Sequence, residues 1–330
     1  MITTPLELSV VVPVYGCRDC LSDLHRRLTE QVAAITPDYE LILVDDRSPD
    51  GSWTVLKALS EADPKVKAIR LSRNFGQHNA ITAGLAASRG RRTVVMDCDL
   101  QDPPEEIPRL LDALGDGRYD LVLAQRESRA DAWLRVAVAR IYFKLLNTFM
   151  GTDIDGRFGT FSVLSRKVVD AYLELGDRDR HYLFVLHWLG FERGTVQVPH
   201  AERPSGRSSY RLTALIRHAV RGVFFQTTNV LLYIVCFGFL LAAAGMLLAI
   251  YDVILVALAH PPPGYTSVMV ATIIIGGFII VSTGVTGLYI GRVFEQVKGR
   301  PLYVIDEVAQ SKQAAPTRMR ADRREVESVH

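Results

Sequence analysis

The sequence predicts an α/β domain built on a mostly parallel sheet, followed by two transmembrane helices. Three observations point there. Short β-branched apolar runs alternate with helically spaced apolar positions from Leu8 to Ala124. Acidic residues recur where several of those runs end. Two long apolar blocks, almost free of charge, fill most of the stretch between Val223 and Gly291.

Leu8–Val14 (LSVVVPV) reads as the first central strand, closing on Pro13-Val14-Tyr15-Gly16. Leu21, Leu24, Leu28 and Val32 put one apolar face on a helix from Cys20 to about Ile35. Glu40–Val44 is the second strand and ends in Asp45-Asp46-Arg47-Ser48-Pro49-Asp50-Gly51. There Asp50 suits the cap of a helix over Ser52–Ser60. A third strand, Val66–Leu71, leads through the loop Ser72–His78 to a helix ending near Ser88, and Arg92–Met96 is the fourth. Tyr119–Ala124, Phe158–Leu164 and Gly194–Val198 read as further strands, with a helix around Arg180–Leu189 before the last. Alternation at this spacing calls for right-handed βαβ units.

Composition narrows the classes. A length of 330 residues suggests two domains. A net charge of +2, with no interleaved basic and aromatic runs, argues against a nucleic-acid partner. Four scattered cysteines, Cys17, Cys20, Cys98 and Cys236, fit a reduced cytosolic protein. Cys17-x-x-Cys20 has no second pair or histidine cluster to complete a zinc or redox site. The N-terminus shows no basic region followed by an apolar core, hence no secretory signal.

Most of the chemistry lies in Val94–Pro104, VVMDCDLQDPP. Open α/β sheets bind ligands outside the carboxyl ends of their strands. Two carboxylates one residue apart at such an end, Asp97 and Asp99, call for a divalent cation, and Gln101 adds a neutral oxygen. Pro103 and Pro104 stop the strand, and Glu105 and Glu106 suit the first turn of a helix. A surface turn with solvated acids is the plain alternative for Asp-x-Asp alone. Acids at the end of the second strand as well weigh against it. No Gly-x-Gly-x-x-Gly is present, so the edge suits a nucleotide held partly through a metal better than a dinucleotide.

VVPVYG, LVDDRSPDG, LSRNFGQHNAITAGL and MDCDLQDPPEEIPRL, in this order, resemble family 2 glycosyltransferases of the GT-A fold. The similarity spans about residues 8–305 and is greatest to the polyisoprenyl-phosphate branch. That branch holds dolichol-phosphate mannose synthase, the bactoprenol glucosyl transferases and the undecaprenyl-phosphate 4-deoxy-4-formamido-arabinose transferase. The last is most similar in NFGQHNAI, DLQDPPEEIPRL and HAERPSGRSSY. The resemblance implies a Rossmann-like GT-A domain with Pro13, Tyr15, Asp45 and Asp46 around the donor base and ribose, and Asp97 near the ribose. It implies that Asp99 and Gln101 hold Mg2+ or Mn2+ with the donor diphosphate. Arg203 matches an arginine expected to meet phosphate, followed by Arg207, Ser208 and Tyr210 on the acceptor-phosphate side. Two positions depart from the pattern: Ser209, where Lys is common, and Val163, where relatives place Arg.

Leu134, Val138, Ile141, Leu145 and Phe149 form one stripe of an amphipathic helix over Asp131–Phe149, flanked by Arg135, Arg140 and Lys144. It suits either a membrane interface or a core-facing helix. Thr213–Phe225 is a second such stretch. Asn229–Leu255 and Ser267–Gly291 are each longer than the ~20 residues needed to span hydrocarbon. Arg211, Arg217 and Arg221 precede the pair and Arg292, Lys298 and Arg300 follow it, which places both termini in the cytoplasm. Asp252, near the outer end of its span, suits an interfacial polar group better than a proton relay. Gly276, Gly277, Gly284 and Gly287 leave room for close helix packing and a homo-oligomer. The expected order is therefore a cytosolic domain (1–210), an amphipathic segment (211–227), two spans (228–292) and a cytosolic tail (293–330), disordered from about 310.

The combined expectation is an inverting, multi-pass enzyme of the inner or plasma membrane. It would move one sugar from a nucleoside-diphosphate sugar, UDP-linked by analogy, to a polyprenyl (undecaprenyl) phosphate. Three alternatives stay open: a processive polysaccharide synthase, although Gln-x-x-Arg-Trp is absent; a phosphoglycosyl transferase; and an inactive scaffold in glycan export.

Overall fold

β1 (Leu8–Val14) is the axis of the sheet, and all seven of its residues are buried. Leu8, Val10, Val12 and Val14 face one layer of helices while Val11 faces the other, as the period of two requires. The strand pairs in parallel with β2 (Tyr39–Asp45) on one side and with β4 (Arg92–Val95) on the other. β3 (Val66–Leu71) continues the parallel set beyond β2. Outside β4 lie β6 (Phe158–Ser165), antiparallel, then β5 (Leu121–Arg126) and β7 (Arg193–Val198), which run parallel to each other. β8 (Ile305–Gln310) closes the opposite edge, antiparallel to β3. The eight strands therefore run β7-β5-β6-β4-β1-β2-β3-β8 in a mostly parallel sheet. This computed structural model describes residues 6–115, 117–126, 158–177, 180–199 and 265–311, with helical residues 234, 236–240, 243–247, 250 and 254 between.

Helices cover both faces. α1 (Leu21–Ile35), α2 (Ser52–Ala62) and α4 (Ile107–Leu114) pack on one side. α3 (Gln77–Ala87), α5 (Arg166–Glu174) and α6 (Tyr182–Trp188) pack on the other. The apolar face expected of α1 is the one buried: Leu21, Leu24, Leu28 and Val32, each contributing about 2 kcal/mol in area removed from water. α3 lies directly on the central strands because Gly84 has no side chain. A Cβ there would overlap Val11 Cγ1 and stand 3.2 Å from Val44 Cγ2. Close seating of α3 matters because its first residue, Gln77, reaches the acidic turn described below.

Two elements fall where the sequence predicts none, α5 and β8. The fourth strand stops at Val95, one residue short of its expected end. Val163, at the family's arginine position, is fully buried between β4 and β5, so this departure is a core substitution.

The turn after β4 is braced from α1. Arg27 holds Glu105 through two bonds, Nε to Oε1 at 2.8 Å and a terminal nitrogen to Oε2 at 2.6 Å. The hydrogen bond from Arg27 keeps the Glu105 carboxyl below the usual carboxylate range. Such a group stabilises the fold above its unfolded pKa, and the contribution fades as pH falls through the lowered folded value. Solvent screens the pair, so Glu105→Gln should lower the melting temperature at pH 7 by only about 2 °C. The gap from the wild type should close in melting curves recorded at progressively lower pH. A gap that persisted in strong acid would count against the pairing.

Contacts divide the chain into two units, one holding β1–β8 and the other the apolar segment. In the latter, α7 (Tyr265–Val297) extends beyond the expected Ser267–Gly291 at both ends. Its stretch Ile274–Val297 is, among the described residues, the one helix long and apolar enough to cross a membrane. Ile275, Ile279, Ile280, Leu288 and Val293 on it are exposed. About half of the first expected span, Asn229–Leu255, lies outside the described residues. Within it Cys236–Leu247 forms a shorter apolar helix, with the Phe237 ring 5.2 Å from that of Phe278 on α7.

Candidate functional site

Because β1, β2, β3 and β4 are parallel, their carboxyl ends open on one edge. The loops leaving them carry most of the acids picked out in the sequence. After β1, Tyr15 is 53% exposed, while Pro13 is buried within the strand opposite Val44. After β2, Asp45 and Asp46 are both buried. After β4 come Asp97, Asp99 and Gln101, all half-buried.

The β1 and β2 loops are sewn together by short polar side chains. Asp45 Oδ1 accepts the Ser48 N–H at 3.0 Å, and Ser48 Oγ accepts the Gly16 N–H at 3.2 Å. Asp50 accepts the Ser52 N–H (3.0 Å) and hydroxyl (2.6 Å) at the start of α2, and its other oxygen takes the Arg18 N–H at 2.9 Å. Gly51, in a left-handed conformation, is the N-cap of α2, and Asp50 just before it ties the first helical residue to the β1 loop instead of capping.

Asp46 works as a latch. Its Oδ1 accepts the Phe75 N–H at 2.7 Å and its Oδ2 the Gly76 N–H at 2.8 Å, so one carboxylate fixes the loop that follows β3. Burial pushes the Asp46 carboxyl above the usual carboxylate range, and the two N–H groups pull it part of the way back. Burial does the same to Asp45, against the bond from Ser48. Each Asp46 oxygen has a second lone pair, so the latch does not preclude contact with a ribose hydroxyl.

The acidic turn is gathered from three elements. Asp97 Oδ1 accepts both the Gln77 amide at the start of α3 and the Thr160 hydroxyl of β6, each at 2.6 Å. Sequence reasoning missed both partners. They are neutral residues inside NFGQHNAI and GTFSVLS, and only the pairing of β6 with β4 brings Thr160 beside Asp97. Asp99 Oδ1 accepts the N–H of Gln101 at 3.2 Å, an Asx turn that bends the chain sharply. Between them Leu100 is buried in the core with φ of 59°, a left-handed conformation that costs a non-glycine residue roughly 1–2 kcal/mol. Backbone strain of this kind persists where the surroundings over-determine it, and it concentrates at functional sites. Cys98, between the two acids, is buried and hydrogen-bonded to Cys17, and that bond and burial push its thiol well up. None of the four cysteines is in a disulfide.

Among the described residues no cluster of three or more His, Cys, Asp or Glu could cage a metal. The acidic turn fits a different type of site. Mg2+ and Mn2+ suit one or two carboxylates together with substrate phosphates and water. Asp99 and Gln101, half-buried on that turn, could contribute one carboxylate and one neutral oxygen to such a site. Arg203, Arg207, Ser208 and Tyr210 lie outside the described residues, as do Asp131–Phe149 and Thr213–Phe225.

Residues 9–173 match the family model described as Glycosyl transferase family 2. The chain is 33% identical over 305 residues to an uncharacterized glycosyltransferase of Synechocystis sp. (strain ATCC 27184 / PCC 6803 / Kazusa), covering 92% of this chain and 96% of that one. It is 35% identical over 308 residues to the undecaprenyl-phosphate 4-deoxy-4-formamido-L-arabinose transferase of Enterobacter sp. (strain 638), covering 92% and 93%. An uncharacterized glycosyltransferase of Bacillus subtilis (strain 168) is 32% identical over 304 residues, covering 92% and 94%.

Proposed function

The chain belongs to glycosyl transferase family 2, and on that premise we propose that it moves one sugar from a UDP-sugar to a polyprenyl (undecaprenyl) phosphate. Nucleotide-sugar transfer is the family's chemistry; the donor base, the lipid acceptor and inversion at the anomeric carbon are our reading. The observation that carries it is the strained Asp97–Gln101 turn at the ligand edge of the sheet, in a chain that also contains the exposed apolar helix α7. That the matched transferase is named for undecaprenyl phosphate supports the choice of acceptor.

In this reading Tyr15, Asp45 and Asp46 surround the base and ribose, with Pro13 shaping the strand end beneath them. Asp97, held by Gln77 and Thr160, sets the turn beside the ribose. Asp99 and Gln101 hold Mg2+ or Mn2+, which offsets the charge developing on the leaving diphosphate. Arg203 is assigned to phosphate, with Arg207, Ser208 and Tyr210 around the acceptor head. The acceptor needs no strong general base. A phosphate monoester has a second pKa of about 6, so its oxygen is already anionic at neutral pH. Alignment of that oxygen and stabilisation of the leaving group are then the tasks left to the protein. α7 and the segment around Cys236–Leu247 are assigned as the two spans, with both termini cytoplasmic. Their small residues are assigned to contact between copies of the chain.

A release assay on detergent-solubilised protein tests this, using a panel of UDP- and GDP-sugars, undecaprenyl phosphate and Mn2+. The expected result is nucleoside diphosphate released in step with a lipid carrying a single sugar. Release of nucleoside monophosphate would instead indicate a phosphoglycosyl transferase. A polymeric product would indicate a processive synthase, and nucleotide binding without turnover a scaffold.

A further inference from the structure

The donor-side loops are held from an unexpected direction. β8 follows α7 after residues 298–304, and the chain entering it grips the sheet beside the Asp46 latch. Asp306 Oδ2 accepts from an Arg47 terminal nitrogen at 2.8 Å and from Arg70 Nε at 2.9 Å. The Ser72 N–H donates to the Val304 carbonyl at 2.8 Å. Arg47 is the residue after Asp46, and Ser72 opens the loop whose Phe75 and Gly76 the latch holds. One short segment therefore touches both halves of the latch.

Arg47 also has a φ of 59°. A side chain in the left-handed region is disfavoured and needs something to hold it there. The neighbouring Glu307 differs in its partners. It accepts from Lys57 at 2.9 Å and Trp53 Nε1 at 3.2 Å, both on α2, and lies 3.1 Å from an Arg70 nitrogen without reaching Arg47.

Building on the donor-site reading above, we propose that Asp306 is a positioning residue for the nucleotide. It acts through Arg47 to fix the backbone at 45–48, so that a strand made after the membrane helix completes the donor site. The pair is half exposed, with side chains 50% and 38% accessible, so its share of global stability is small. Its effect falls on loop order instead.

The test is UDP titration, in the presence of Mn2+, of the full-length protein in detergent. Asp306→Asn should raise the UDP dissociation constant about three- to fivefold, the size of one charged pair near a surface. Its melting temperature should stay within about 2 °C of the wild type. Arg47→Ala should do the same, and the double variant should be no weaker than Asp306→Asn alone, because the Arg47–Asp306 pair is lost in both, while the Arg70 bond to Asp306 is lost only with Asp306. Asp306→Glu should recover most of the affinity. Glu307→Gln should leave UDP binding at the wild-type level. Unchanged binding by Asp306→Asn, multiplicative losses in the double variant, or an equal loss in Glu307→Gln would each overturn the proposal. A wild type that binds no UDP would overturn the donor-site reading itself, which is a separate result.

Discussion

Asp99→Asn is expected to lower metal-dependent sugar transfer by about a thousandfold, ~4 kcal/mol of transition-state stabilisation. The substitution is close to isosteric. An asparagine oxygen can still accept the Gln101 N–H, so the Asx turn and the left-handed Leu100 are expected to persist. What is lost is the negative charge that makes the turn attractive to a divalent cation. The measurement is kcat/KM at saturating Mn2+, with detergent extraction and melting temperature as controls for folding. Activity within threefold of the wild type would remove Asp99 from the site.

Asp46→Asn comes second in size. Asparagine can replace one of the two acceptors but turns an amide toward the other N–H, so either Phe75 or Gly76 loses its partner. Leaving a part-buried N–H unsatisfied and removing a charge-assisted bond together cost about 3 kcal/mol. Phe75 and Gly76 lie just before Gln77, which holds Asp97, so the damage should reach the acidic turn. A roughly hundredfold weaker UDP titration, with a melting temperature a few degrees lower, is the expected pattern. A variant that melted early but bound UDP normally would make Asp46 a structural residue only.

How much of this was legible in the sequence depends on the range of the interaction. The first four strands and three helices follow from local periodicity, and their ends agree with expectation to within about two residues. Acids at strand ends were equally visible, because parallel strands put their carboxyl ends on one edge. Partners that are neutral and distant left no signal, as with Gln77 and Thr160 on Asp97. β8 was hidden for a related reason. IDEVAQ is short and charged, with only Ala309 buried, and its place is set by pairing with residues more than two hundred positions away. α5 follows β6 without a Gly or Pro to mark the boundary, so the change of period at Arg166 had no punctuation.

The position of β8 also bears on how the protein is made. A ribosome delivers β1 to β7 first, and β3 then has an unpaired edge. Roughly a hundred further residues must be made before β8 emerges, about 5 to 20 seconds at ordinary elongation rates. Over that interval the nascent sheet offers a template for the wrong strand, its own or another chain's. The vulnerable part of the nascent sheet is therefore its open edge, rather than its centre.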